Sequence, residues 1–306
     1  MEKRQQELQF LGFFGIFKES LKLIFSKPKL FTQITLTFIL PLSIVSQLHK
    51  YFSYTIASKR LSYSILLEFS YYLVIFIPSL LSTSAVVCAI TFLYAEKNVT
   101  FKNIRGVLRK IWKRVMITVA LGLAIDFCSK KLLVRVGILI DRHFMSHQVY
   151  PIDILTTRNV IGVTLNFLNI AIVDYISIIQ NLAKVVSVIE DLSGIQAMIK
   201  SNNLIEGKIG VAVLMFIAFG SCFIVINGRI YSVFLELYGG HLNWRNGVGI
   251  GIPFLILLES MVTLLALVVG AIIYFSCKSR EITMRVLSTQ KSFKSIEWSV
   301  LDPLIE

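Results

Sequence analysis

Charged residues are scarce in this sequence. Asp, Glu, Lys and Arg together make up 16% of its 306 residues, against about 25% in soluble domains. Hydrophobic residues account for 55%, compared with roughly 45–50% in soluble domains, and the mean hydropathy is +0.73. This composition disfavours a soluble domain and predicts an integral membrane protein.

Cysteines are few, and the common catalytic motifs are absent. Cys88, Cys128, Cys222 and Cys277 stand singly, so neither a disulfide framework nor a Cys-x-x-Cys metal site is indicated. The sequence has no Gly-rich phosphate loop, no Gly-x-Ser-x-Gly elbow and no His-Glu-x-x-His motif. We therefore predict no catalytic residues, no metal and no cofactor, and we favour a non-catalytic protein over an enzyme.

Acidic residues are outnumbered by basic ones. The chain has 31 Lys and Arg against 18 Asp and Glu, a formal net charge of +13. No basic patch lies in a segment that could fold by itself, which disfavours nucleic acid as a partner. Basic residues beside apolar segments instead predict contact with anionic lipid head groups.

Six apolar segments approach the length of about 20 residues that a helix needs to cross a bilayer core. Five are clear, whereas the third carries Asp126 and is followed by Lys130, Lys131 and Arg135. The third is either a short span plus an interfacial segment or one long, charged helix. The predicted fold is all-α, with three transmembrane hairpins between tails at 1–29 and 278–306 and spans near 30–48, 70–94, 111–129, 160–183, 209–235 and 250–277.

The distribution of Lys and Arg predicts the orientation of these spans. When each basic residue is assigned to its nearest connection or tail, the side with both termini has 21 and the other side has 10. Cytosolic segments carry the excess of Lys and Arg. Both termini are therefore predicted to be cytosolic, in the endomembrane system or the plasma membrane.

The segment before the first span predicts an amphipathic interfacial helix. Lys18, Glu19 and Lys22 lie off its apolar face, and Ser26 and Pro28 suit the N-cap and first turn of the next helix. The apolar face consists of Phe10, Phe13, Phe14, Phe17, Leu21, Ile24 and Phe25.

This segment has a counterpart before the fifth span. Aligning Ser20 with Ser201 also superimposes Leu23 on Leu204, Ile24 on Ile205 and Lys27 on Lys208. A basic segment of similar design, with Phe101, Ile104, Leu108 and Ile111 on one side, precedes the third span. We infer three units of interfacial helix plus hairpin, although ordinary basic anchors explain the middle copy equally well. The predicted contacts with anionic lipid are Lys18, Lys22, Lys27, Arg105, Arg109, Lys113 and Lys208.

Three stretches carry a resemblance to known families. The runs "FLGFFGIFKESLKLIFSKPKLFTQITLTFILPLS", "AKVVSVIEDLSGIQAMIKSNNLIEGK" and "IIYFSCKS" resemble a plant family of uncharacterised six-span membrane proteins. The spacing of Glu190, Gly194, Ala197 and Ser201 is more distantly similar to the membrane domain beside some bacterial glycerophosphodiester phosphodiesterases. The chain has no room for their catalytic domain, so this similarity implies architecture and not hydrolysis. The sequence departs from the pattern around residues 126–159.

Polar residues inside the spans predict either a cavity or interhelical contacts. Charges in a span cost about 2.5–3.5 kcal/mol at its centre on insertion scales, so they normally face the bundle. Arg229 of the fifth span could pair with Glu259 of the sixth or with Asp174. The fourth span carries a polar stripe of Asn166, Asn169, Asp174, Ser177, Gln180 and Asn181.

Two functional hypotheses remain open at this stage. The first is a non-catalytic membrane protein that organises lipids or partner proteins through its basic interfacial helices. The second is a small-solute or proton-coupled transporter or channel whose polar pathway uses Asp174 and Glu259.

Overall fold

The computed structural model describes residues 12–57, 61–95, 101–145, 175–238 and 251–301. Throughout these ranges the regular structure is helical, which confirms the all-α prediction for this part of the chain. The helices are α1 (Phe13–Ser26), α2 (Pro28–Ile34), α3 (Leu40–Ala57), α4 (Leu61–Tyr94), α5 (Phe101–Met145), α6 (Tyr175–Ile189), α7 (Gly194–Ile205), α8 (Ile209–Tyr238) and α9 (Ile252–Leu301).

Four helical segments of the described chain are long and apolar enough to cross a membrane: Pro28–Lys50, Leu66–Tyr94, Ile209–Val233 and Ile252–Thr283. They correspond to the first, second, fifth and sixth predicted spans. The predicted fourth span begins outside the described residues, and its described end is the shorter apolar helix α6. The predicted third span lies in α5, whose composition is more charged.

The structure shows whether the helix is interrupted within the predicted third span. Residues 101–145 form one continuous helix, so the charged segment after Asp126 continues the helix and does not start a separate interfacial one. Lys131 pairs with Glu68 of α4 and lies 5.5 Å from the centre of the Phe127 ring. The charge of Lys131 is thus compensated by a carboxylate on the neighbouring helix α4. The amphipathic segment predicted before this span is simply the first turns of α5.

The boundary between α1 and α2 lies at Lys27, which leaves the helical region with φ −137° and ψ 64°. Pro28 occupies the first turn of α2 as predicted, where its missing N–H breaks no hydrogen bond. The prediction that Ser26 caps α2 was wrong. Its hydroxyl donates instead to the carbonyl of Leu23, at 2.7 Å, because a serine near a helix end can bond back to its own helix.

A π-helical turn at Thr35–Ile39 joins α2 to α3. Here the N–H of Leu40 reaches the carbonyl of Thr35. The following residue is Pro41, which has no N–H and would crowd the carbonyl four residues earlier in an α-helix. Widening the helix before Pro41 lets the first span continue without ending there.

Helix α9 lies at the centre of the bundle. It packs against α1, α3, α4, α7 and α8, and every residue from Ala271 to Cys277 is buried. A helical segment that is buried on all sides is typical of a core position, whereas residues nearer the start of α9, such as Phe254, are exposed. The polar residues that follow on α9 are therefore held at a defined place by the surrounding helices.

Candidate functional site

One polar cluster, the Glu190 cluster, comprises Glu190, Lys200, Tyr274, Lys278 and Glu281. Glu190 follows α6 directly, whereas Tyr274, Lys278 and Glu281 recur at the spacing that places residues on one helical face of α9. The Tyr274 hydroxyl donates to Glu190 Oε1 at 2.7 Å, and Lys278 Nζ donates to the same atom at 2.9 Å. The end of α6 is thus bonded to α9.

Helix α7 joins the same cluster through Lys200. Its ammonium donates to Glu281 Oε1 at 2.7 Å, and Lys278 lies 3.3 Å from Glu281 Oε2. Acidic and basic groups therefore alternate through the cluster, in the order Glu190, Lys278, Glu281 and Lys200. The arrangement links α6, α7 and α9 with charge-assisted hydrogen bonds, which are about twice as strong as neutral ones.

The surroundings of Glu190 favour its ionised form. Partial burial raises the pKa of its carboxyl, but the hydrogen bonds from Lys278 and Tyr274 and the charges of Lys278 and Lys200 outweigh this. The net pKa lies below the usual value of a glutamate. Glu190 is therefore a permanently charged anchor at neutral pH, and a general acid is disfavoured.

Gly194, Ala197 and Ser201 lie on the buried side of α7. Gly194 begins this helix with φ +57°, a conformation that glycine adopts without steric cost. Its N–H donates to Thr118 Oγ1 at 2.8 Å, and that oxygen lies 2.6 Å from Ser187 Oγ. Ala197 and Ser201 follow on the same buried side. Together these contacts fasten α7 to α5 and α6.

Helices α1 and α7 repeat one local arrangement. Ser20 and Ser201, the two serines that the sequence aligns, are both fully buried. Ser20 donates to the carbonyl of Ile16 at 2.7 Å, and Ser201 donates to the carbonyl of Ala197 at 2.7 Å. Both helices pack on α9, and both lead into a helix long enough to cross a membrane.

The outward face of α1 is aromatic. Phe14 is 82% exposed and Phe25 is 74% exposed, whereas Ile16, Ser20 and Leu23 are buried on the opposite side of the helix. Lys18 and Lys22 are exposed between these faces, and Lys22 lies 3.7 Å from Glu19.

The basic residues predicted to meet lipid lie at the surface, with one exception. Lys208 is half-buried in the turn between α7 and α8 and donates to Ser276 Oγ at 2.6 Å. The exposed members of the set are Lys18, Lys22, Lys27, Arg105, Arg109 and Lys113.

A second polar cluster, the Glu259 cluster, comprises Gln47, Lys50, Asn227 and Glu259. Gln47 Nε2 donates to Glu259 Oε2 at 2.6 Å and to Asn227 Oδ1 at 2.9 Å. Lys50 Nζ donates to Asn227 Oδ1 at 2.5 Å and lies 3.8 Å from Glu259 Oε1. Gln47 is 3% exposed and Glu259 is 5% exposed, so α3, α8 and α9 share a buried charged contact.

The predicted cavity residues fall into three groups. Asn166, Asn169 and Asp174 lie outside the described residues. Ser177 is half-buried, whereas Asn181 and Arg229 are exposed. Glu259 is buried, but Lys50 and Gln47 occupy the place that the sequence analysis gave to Arg229.

Gln47 and Lys50 were absent from the predicted set. The available indication was an amide at position 47 inside the first apolar segment, followed one turn later by a lysine. Within the described ranges, no group of three or more His, Cys, Asp and Glu could hold a metal ion.

Comparison with known proteins identifies the family of this chain. A domain of unknown function (DUF8558) matches residues 1–62 and 54–289. The chain belongs to this family. The match extends from α1 into α9, so the Glu190 and Glu259 clusters both lie within the DUF8558 region. No curated protein and no solved structure matches the chain.

Proposed function

We propose that this protein is a non-catalytic multi-pass membrane protein that organises anionic lipid, and partner proteins where present, beside its interfacial helices. The main support for the proposal is the exposed surface of α1. This helix is held to α9 by one face and presents exposed phenylalanines flanked by Lys18 and Lys22 on its other sides. Aromatic residues beside lysines are typical of a helix lying at the boundary between head groups and acyl chains.

The proposal includes a six-span architecture. In it, α5 and the helix that ends at Ile189 supply the third and fourth spans, giving three hairpins. Because α1 and α7 both pack on α9 and each precedes a span, we place them in one leaflet. The excess of Lys and Arg on the side with both termini assigns that leaflet to the cytosol. The membrane is that of the endomembrane system or the cell surface, and we retain the resemblance to the plant family as part of this proposal.

The lysines of α1 provide the test. Each Lys near an anionic surface contributes about 1 kcal/mol, so Lys18→Gln/Lys22→Gln should lower the preference for phosphatidylserine over phosphatidylcholine several-fold at low salt. The measurement is the association of spin-labelled lipids with the full-length protein in reconstituted bilayers. Lys18→Arg/Lys22→Arg retains both charges and is the matched control. An unchanged preference in the glutamine variant would contradict the proposal.

Transport is the second candidate, and the Glu259 cluster favours it. Both protons of the Gln47 amide are used by acceptors, which leaves Gln47 Oε1 buried without a hydrogen-bond partner among the described residues. Glu259 lies about 10 Å from the start of α9 at about 1.5 Å per residue. A carboxylate inside a predicted span is a candidate for a proton pathway, and the unsatisfied Gln47 Oε1 beside it is a polar group that a proton donor could reach.

Proton uptake distinguishes this candidate. In proteoliposomes with a valinomycin-imposed potassium diffusion potential, transport predicts acidification of the lumen, measured with an encapsulated pH dye. Asp174→Asn/Glu259→Gln should abolish it, whereas Glu206→Gln, an exposed carboxyl outside the spans, should not. Absence of uptake by the unmodified protein would eliminate proton transport.

A further inference from the structure

An apolar groove of about 260 Å³ lies between α6, α8 and α9. Its wall on α8 carries Phe216, Phe219 and Phe223 together with Gly220, and α9 contributes Gly270. Small residues in membrane helices normally allow close contact between helices. Here a Cβ atom added to Gly220 or Gly270 would meet no described heavy atom within 4 Å. The two glycines therefore face open space.

The groove has the length of one lipid leaflet. It follows α8 from Ala212 to Phe223, which is a rise of about 16 Å at about 1.5 Å per residue. A bilayer core is about 30 Å thick, so one acyl chain occupies a similar depth. The apolar lining excludes water as a well-bonded occupant, because buried water needs two to four polar partners.

One end of the groove meets basic side chains. Ala212 donates its backbone N–H to the carbonyl of Lys208 at 3.1 Å, so Lys208 lies one turn before the groove. Arg280 donates to the carbonyl of Gly207 in the same turn. Burial lowers the pKa of the Lys208 ammonium, and the charge of Arg280 lowers it further. Two cations thus lie close together where the apolar wall ends.

Beside this turn is a second cavity, of about 370 Å³. Polar groups of Lys200, Asn203 and Arg280 line it together with two carboxylates. Of these carboxylates, Glu281 is bonded to Lys200 and Lys278, and Glu206 is exposed. Ile205 lines the groove and Gly207, two residues later, lines this cavity, so a lipid head group in the cavity would lie beside the end of the groove.

We propose that the groove binds a single anionic phospholipid, with one acyl chain along α8 and its phosphate between Lys208 and Arg280. This inference deepens the proposed function and rests on it only in requiring that α8 and α9 cross a bilayer. It is independent of the lysines of α1, because the groove lies on other helices. A zwitterionic phospholipid would fill the apolar part equally well and carries the same phosphate, but the ammonium of its head group would be repelled by the two cations, so the net negative charge of an anionic lipid is favoured.

Photolabelling of the full-length protein tests the proposal. The probes are phosphatidylglycerol and phosphatidylcholine, each with a diazirine in one acyl chain, in otherwise identical nanodiscs. We expect labelled peptides between Ala212 and Phe223, with phosphatidylglycerol several-fold more efficient. Gly220→Leu/Gly270→Leu should reduce labelling of this segment at least fivefold, because the new side chains fill the groove. Gly228→Leu is the matched control on α8, where an added Cβ also meets nothing within 4 Å and where no groove wall lies.

A separate variant tests the proposed phosphate site. Lys208→Gln/Arg280→Gln should bring the two lipids to equal labelling efficiency while leaving the labelled segment unchanged. Labelling of α8 that is the same in Gly220→Leu/Gly270→Leu and in Gly228→Leu would overturn the groove, and an unaltered lipid preference in the glutamine variant would overturn the phosphate site. If Lys18→Gln/Lys22→Gln left the preference for phosphatidylserine unchanged while the groove was still labelled, only the proposed lipid association at α1 would be rejected.

Discussion

Replacing Tyr274 with alanine should lower the free energy of unfolding by about 3–5 kcal/mol, the usual cost of truncating a large buried aromatic residue. Tyr274 is 1% exposed at the centre of the bundle, and its hydroxyl donates to Glu190 Oε1 at 2.7 Å. The variant leaves a cavity and removes one of the bonds between α6 and α9. The measurement is the unfolding midpoint in mixed dodecyl maltoside and SDS micelles, followed by far-UV circular dichroism.

Two controls separate packing from hydrogen bonding. Phe254→Ala truncates an aromatic residue that is 63% exposed on the same helix and should cost much less. Tyr274→Phe retains the ring and loses only the bond to Glu190, at a cost of about 1.5–3 kcal/mol for a hydrogen bond to a charged group. A full loss of stability in Tyr274→Phe, equal to that of Tyr274→Ala, would contradict the packing argument.

Acidification provides an independent readout of the same bond. Because the folded pKa of Glu190 is lowered, its contribution is complete above the unfolded pKa and is lost as the pH falls through the folded pKa. The stability difference between Tyr274→Phe and the unmodified protein should therefore be largest at neutral pH. It should shrink in acid, below the ordinary pKa of a glutamate, where protonation of Glu190 removes the charge that strengthens the bond.

Local sequence pattern anticipated part of the likeness between α1 and α7. Ser20 and Ser201 bond back to their own helices, and Leu23 and Leu204 are buried beside them. The other two aligned pairs differ, since Lys27 is exposed whereas Lys208 is half-buried, and Ile24 is less buried than Ile205. The prediction that Ser26 caps α2 was wrong for a related reason. A serine at this point can bond forward to the next helix or back to its own, and the local sequence does not specify which.

The partners of charged residues could not be predicted in the same way. A helical wheel indicates which side of α9 carries Glu259, but not that Gln47 and Lys50 of α3 lie opposite it. The same limitation applies to α5. The sequence of α5 alone does not reveal that Lys131 pairs with Glu68 of α4, because the two residues are remote in sequence.

The contact between α3 and α9 leads to the second prediction, which concerns Gln47→Leu. This substitution removes the 2.6 Å donor to Glu259 and leaves a buried carboxylate whose remaining described partner is Lys50, 3.8 Å away. Leaving a charged group short of a hydrogen bond should cost about 1.5–3 kcal/mol. The unfolding midpoint in the same mixed micelles measures the loss, and Gln33→Leu, at an exposed position on α2, is the matched control.

The double variant Gln47→Leu/Glu259→Leu makes the test sharper. Removing both partners of a buried hydrogen bond can be nearly neutral, whereas removing one leaves the other unsatisfied. Leucine at position 47 also eliminates the buried Gln47 Oε1 that has no described partner. We therefore expect the double variant to be more stable than Gln47→Leu alone. If the two substitutions simply added, Glu259 would be stabilised by surroundings other than the Gln47 amide, and the hydrogen bond between Gln47 and Glu259 would not be what joins α3 to α9.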